Sequence, residues 1–231
     1  MSRQIPFGRL AAEFVVIVVG VLVALAADSW WQSRQDRAAE DRALRSLLAD
    51  FEAASAALER QVAAVDSAAV AAEALLGLVS PEADLGQADS LAQLLPRIIR
   101  RPTFHPPTGT LNELLGSGTL SLIQNDSLRA KLASFHSQLE GLTVTQEYGS
   151  RVVFDQLVPY LNQHVPMLEY GLLATGESSF GNHRPTVLRS MEFENLVQTR
   201  LMGIRFTLLA MDDVGEFILS VRRSIEVELG T

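Results

Sequence analysis

The chain is predicted to be all-α, an N-terminal transmembrane helix continuing into an elongated antiparallel helical bundle of three long helices plus short helices. Three observations predict this class. Apolar residues make up 48% of the 231 residues and aromatics only 6%, with alanine and leucine supplying most of the apolar surface; that composition favours helix over strand. No proline occurs between Pro6 and Pro81, so nothing in that stretch forces a helix to stop. Apolar residues then recur three and four apart in three long stretches, the spacing of one helix face.

The bulk numbers exclude several function classes. The net charge is −8 and the basic residues are scattered, whereas a nucleic-acid binder needs a concentrated cationic face. There is no cysteine, which removes disulfides, thiolate metal sites and cysteine nucleophiles.

Residues 1–9 form a short tail carrying Arg3 and Arg9. Residues 10–31 contain the run EFVVIVVGVLVALAADSWW. Buried strands run to about eight apolar residues, and this run is longer. As a helix, Leu10 to Trp31 measures about 33 Å at about 1.5 Å per residue, which matches a hydrocarbon core of about 30 Å. Trp30 and Trp31 then fall at the headgroup level, where amphipathic rings prefer to sit. A cleaved signal peptide is the competing reading, with Arg3 and Arg9 as its basic end and Ala24-Leu25-Ala26 as its cleavage site. Nothing polar or helix-breaking separates the apolar run from that site, and the helical pattern continues through Asp28, so an uncleaved anchor is the reading adopted. The flank after the anchor carries Arg34, Arg37, Arg42 and Arg45, more basic residues than the tail. Long C-terminal domains translocate largely regardless of charge, so the tail is placed in the cytoplasm and residues 32–231 outside a bacterial inner membrane.

Glu13, Ile17, Gly20, Ala24, Asp28 and Trp31 share one face of that helix by their spacing of three and four. Glu13 also stands four residues after Arg9, so the two can pair and reach the interface together. Gly20 and Ala24 form a small-xxx-small pair that lets a second helix approach closely. Two partners are therefore expected, the lipid bilayer and another transmembrane helix, from a different protein or from a second copy.

From Asp36 the pattern changes to heptads. Leu44, Leu48, Phe51, Ser55, Leu58, Val62, Val65, Ala69, Ala72 and Leu76 form the expected seam. The helix ends before Ser80-Pro81. A loop over 79–107 holds five prolines and a short helix near Asp89–Leu95. Thr110–Leu115 is a second short helix closed by Gly116 and Gly118. Asn125 or Asp126 caps the next long helix, with a stripe of Leu128, Leu132, Phe135, Leu139, Leu142, Val153, Leu157 and Leu161, and Pro159 as its kink. A loop over 166–190 precedes the last helix, Met191 to Leu229, with the stripe Val197, Leu201, Ile204, Leu208, Met211, Ile218 and Ile225. Simple alternation of three long helices puts loop 79–107 at the far end and returns loop 166–190 to the membrane surface.

Two blocks resemble a known family. Glu13 followed by VVIVVGVLVAL and Trp30, together with TLNELLGSGTLSLIQNDSLRAKL at 110–132, is similar to a bacterial family of single-pass membrane proteins catalogued only as a domain of unknown function. The chain departs from that pattern at Asp28-Ser29, where family members carry asparagines. The resemblance implies an anchor and a helical extramembrane part, and brings no reaction and no catalytic residues.

No catalytic set is complete. GESSFG at 176–181 has phenylalanine where a nucleophile elbow needs its second glycine. No phosphate-cradling loop and no His-Glu-x-x-His occur. His136 and Glu140 share a helix face, as do Asp212, Asp213 and Glu216, and solvated surface explains both. No cofactor or metal is expected. Arg97, Arg100, Arg101 and His105 form the densest basic patch, which suits an anionic ligand or acidic partner; charged turn residues facing water are the plainer reading. The sequence thus predicts a non-enzymatic accessory or scaffold subunit of a membrane assembly. The alternative is a ligand-binding or sensory module that signals through a separate partner, which convergent arginines between helices would favour.

Overall fold

The computed structural model describes residues 7–170, 176, 178–179 and 185–230, with backbone alone for 7–13 and 15. Among the described residues every regular element is helical. Helix α1 spans Phe7–Leu76, 70 residues without a break, about 105 Å at about 1.5 Å per residue. It contains one apolar stretch near the N-terminus that is long enough to cross a membrane, with mean hydropathy 1.5 and none of that stretch buried. Among the described residues, the first buried residue of α1 is Leu44, about 20 Å beyond Trp31 along the helix axis.

Helix α2 is Ala88–Ile99 and carries Pro96 inside it. Helix α3, Gly109–Gly116, ends at Ser117, and Gly118 follows at φ 71. That left-handed conformation is open to glycine without steric cost. A 3-10 turn at Thr119–Leu122 leads into α4, Asp126–Arg151. The expected cap is present, with Asn125 Oδ1 accepting from the Leu128 N–H at 2.9 Å. A π-helical segment, Val152–Leu157, joins α4 to α5, Val158–His164. Pro159 lies just beyond it, and the wider turn accommodates a residue that has no N–H to give. Helix α6 is Met191–Leu229, as expected from the sequence, capped by the Ser190 hydroxyl.

The seam on α1 follows the expected one at Leu44, Phe51, Leu58, Val65, Ala69 and Ala72, all of which are buried. Leu48, Ser55, Val62 and Leu76 are only half-buried, and Leu47, Ala54, Ala68, Ala71 and Leu75 are buried beside the expected line. The small side chains of Ala54 and Ala68 let the neighbouring elements close in.

The path of the chain corrects a second expectation. After α1 ends, the segment 77–124 runs back along it: Arg97 reaches Ser67, the Thr110 N–H donates to Asp50, and the Gln124 N–H donates to Glu40. Helix α4 then rises beside α1, with Phe135 edge-on to Phe51 at 5.0 Å between ring centres. The described end of loop 166–190 therefore does not lie at the anchor end but at the start of the 79–107 loop: the Ser80 N–H donates to Leu188 O at 2.9 Å, and the Arg189 guanidinium donates to Ala83 O at 2.8 and 2.9 Å. Helix α6 runs back down, pairing Arg205 with Glu73, Gly215 with Leu58 and Arg222 with Glu52 on α1. Against α4 it pairs Arg200 with Gly149 and Glu228 with Asn125.

Candidate functional site

The return segment brings the basic patch onto α1 at a place where α1 offers only small side chains, Ala64, Ser67 and Ala68. Helix α2 ends at Ile99, and Arg100 turns extended at φ −62, ψ 141. Pro102 holds the preceding residue away from helix as well. The result is a cleft of about 300 Å³ lined by Ala64, Ser67, Ala68, Arg97, Arg100, Arg101 and Pro102. The Arg97 guanidinium donates to Ser67 Oγ at 2.7 Å. Arg101 donates to Ser150 Oγ at 3.3 Å and lies 3.8 Å over the Phe154 ring. Phe154 belongs to the π-helical segment, so the turn that accommodates Pro159 also sets the ring on which an arginine rests.

Behind the cleft is a smaller chamber of about 20 Å³, which shares Ala68, Arg101 and Pro102 with it and adds Gln146, Gly149, Arg200 and Thr207 among others. Arg200 is 5% exposed. Its Nε donates to Ile98 O at 2.8 Å and its Nη2 to Arg100 O at 2.9 Å, which places a cation at the carbonyl end of α2. Burial, and then the charge of Arg101, push the Arg200 guanidinium down to about 10, so it remains a cation at neutral pH. Gly149 makes this approach possible: a Cβ there would stand 3.0 Å from Arg200 Nη1. No carboxylate lines the cleft or the chamber.

The four residues of the predicted patch divide. Arg97, Arg100 and Arg101 line the cleft, whereas His105 lies in a neighbouring hollow of about 510 Å³ with Glu147 and Arg151. Arg200 and Gln146 were not singled out in the sequence. Arg200 carries a legible signal, since it stands three after Val197 and four before Ile204, on the buried stripe of α6.

On the predicted membrane face, Ile17, Gly20, Ala24, Asp28 and Trp31 are all exposed, and nothing lies within 4 Å of a Cβ built on Gly20. Glu13 falls within α1, and its side chain is outside the described residues. The Gln32 amide donates to Asp28 at 3.3 Å, and the Arg34 guanidinium covers the Trp30 ring at 4.7 Å, two partners the sequence reading had not assigned.

His136 Nε2 is hydrogen-bonded to Asn112 at 3.1 Å, and Asp212, Asp213 and Glu216 face solvent. Among the described residues no three His, Asp or Glu side chains are grouped to hold a metal ion. Comparison with family models, with curated proteins and with solved structures finds no match to this chain.

Proposed function

We propose that the protein is a single-pass membrane protein of the bacterial inner membrane, with its bulk in the periplasm, that serves as a non-enzymatic accessory or scaffold subunit of a membrane assembly. One observation carries this reading. A helix that is apolar all round and wholly unburied over a membrane's thickness continues without interruption into a packed helical body. Apolar surface on that scale is costly to leave in water. The resemblance of the two sequence blocks to single-pass anchored proteins points the same way. The body is an elongated bundle in which α6 runs against both α1 and α4, a reading supported by the paired contacts along its length. Within the bilayer, Gly20 and Ala24 offer close approach to a partner helix, flanked by Glu13 and Asp28.

Extraction and co-purification test the proposal. The chain should resist alkaline carbonate and require detergent, and Gly20→Leu should reduce recovery of its partner while the bundle melts unchanged. A mature chain that begins near Ala27 in the soluble fraction, or unchanged association in Gly20→Leu, overturns it.

A second reading is favoured by the arginine cleft. Three arginines of the return segment line a hollow beside α1, which suits a periplasmic ligand-binding or sensory module. Helix α1 lines that hollow and is also the membrane helix, so occupancy would be felt along one continuous element.

A further inference from the structure

We propose that the chamber between α1, α4 and α6 is a carboxylate-binding pocket: a ligand carboxylate accepts hydrogen bonds from Arg200 Nη1, Gln146 Nε2 and Arg101, and the rest of the ligand occupies the arginine-lined cleft. This names the ligand class for the second reading above, and it rests on the cleft being a ligand site rather than on the membrane anchor.

The argument begins with unused donors. Among the described residues Arg200 Nη1 donates to nothing, while its Nε and Nη2 are committed to backbone carbonyls. Gln146 Nε2 is buried and has no hydrogen-bond partner. A buried donor left without a partner is destabilising, because it has lost water and gained nothing in return. The hydroxyl that also lines the chamber, on Thr207, already donates to Gly203 O at 3.0 Å. The chamber is therefore rich in donors and carries no acidic group, which is the electrostatic inverse of a cation site.

Charge points the same way. Arg200 is a buried cation, and the charge that acts on it is that of another cation, Arg101. Buried charges ordinarily have an opposite partner, and the carbonyls at the end of α2 supply only partial charge. An incoming anion would complete the set.

Size limits the anion. A volume of about 20 Å³ is close to what one water-sized oxygen needs. It admits one carboxylate oxygen, to which a guanidinium donates directly; the carbon and second oxygen stay in the cleft, and a group with more oxygens would have to leave more of them there. The cleft beyond it, about 300 Å³ with alanine and proline walls and Arg97 and Arg100 at its rim, suits a small organic acid with a second polar group.

The test uses the full chain in nonionic detergent, followed by thermal unfolding while sodium acetate or sodium phosphate replaces sodium chloride at constant ionic strength. Acetate should raise the midpoint saturably. Arg101→Ala should weaken its apparent Kd about tenfold, the loss expected for one charge-assisted bond. Gln146→Glu places a carboxylate beside Arg200 from within, so it should raise the midpoint without ligand and abolish the acetate response. A saturable response to either anion that Gln146→Glu leaves intact keeps the cleft as a ligand site and overturns the carboxylate chamber. No saturable response to either anion overturns both the chamber and the second reading.

Discussion

The two halves of α1 share one helix and little else. Residues 16–38 are exposed on every side, while the face of residues 44–75 that carries Leu47, Ala71, Ala72 and Leu75 is sealed against other elements. Neither half contains proline, so nothing in either forces the helix to stop, although the valines of the first half are weaker helix formers than the alanines and leucines of the second. The difference lies in how apolar residues are distributed round the axis. Valine, isoleucine and leucine surround the first half, and a helix apolar all round wants either a core or a bilayer. The second half confines its apolar residues to one side and alternates large with small, which suits neighbours of fixed shape.

Substitutions placed in each half should break the contrast in opposite ways. Phe51 is 1% exposed and edge-on to Phe135, so Phe51→Ala should cost about 3–5 kcal/mol in denaturant unfolding and leave membrane partitioning untouched. Leu22→Arg, near the middle of the exposed half, should oppose insertion by about 2.5–3.5 kcal/mol, read as chain lost from the membrane fraction with the bundle's melting unchanged. Ala72 is fully buried, and Ala72→Leu should destabilise by about 1–3 kcal/mol through overpacking; Ala26→Leu, on the exposed half, should stay within about 0.5 kcal/mol. Removing the cap with Asn125→Ala should cost about 1 kcal/mol. Among the changes that remove an interaction, Arg205→Ala should have the smallest effect. Its ion pair with Glu73 joins side chains 60% and 52% exposed, and such pairs contribute about 0–1 kcal/mol.

Arg200 gives a further contrast in pH. Its folded guanidinium is pushed down to about 10, so holding it charged opposes folding at every pH below that value. Wild-type stability should gain from this group as pH rises above about 10, and Arg200→Met should lose that alkaline gain in pH-dependent unfolding.

Much of the fold was legible because its signals are local. Ser80-Pro81, Asn125, Gly118 and Ser190 act within a turn of the chain, and they place helix ends to within a few residues. The heptad seam was half legible. Leu44, Phe51 and Leu58 declare themselves by bulk, but Ala54 and Ala68 are buried because other elements come close, and an alanine in sequence does not say which neighbour it will meet. The site was legible in part for the same reason. Arg97, Arg100 and Arg101 lie within five residues of one another, whereas Gln146 and Arg200 reach the same place from α4 and α6.

The sequence by itself determined the all-helical class, the single long apolar segment near the N-terminus and the places where helices start and stop, since each follows from short-range spacing and the conformational limits of proline and glycine. Tertiary structure alone decided that residues 77–124 return along α1, that Leu188 and Arg189 meet Ser80 and Ala83 at the far end, and that Arg200 is buried beside Arg101. Those outcomes depend on which apolar faces close on one another, and the free energy of burial is fixed by the assembled surfaces rather than by any one stretch of chain.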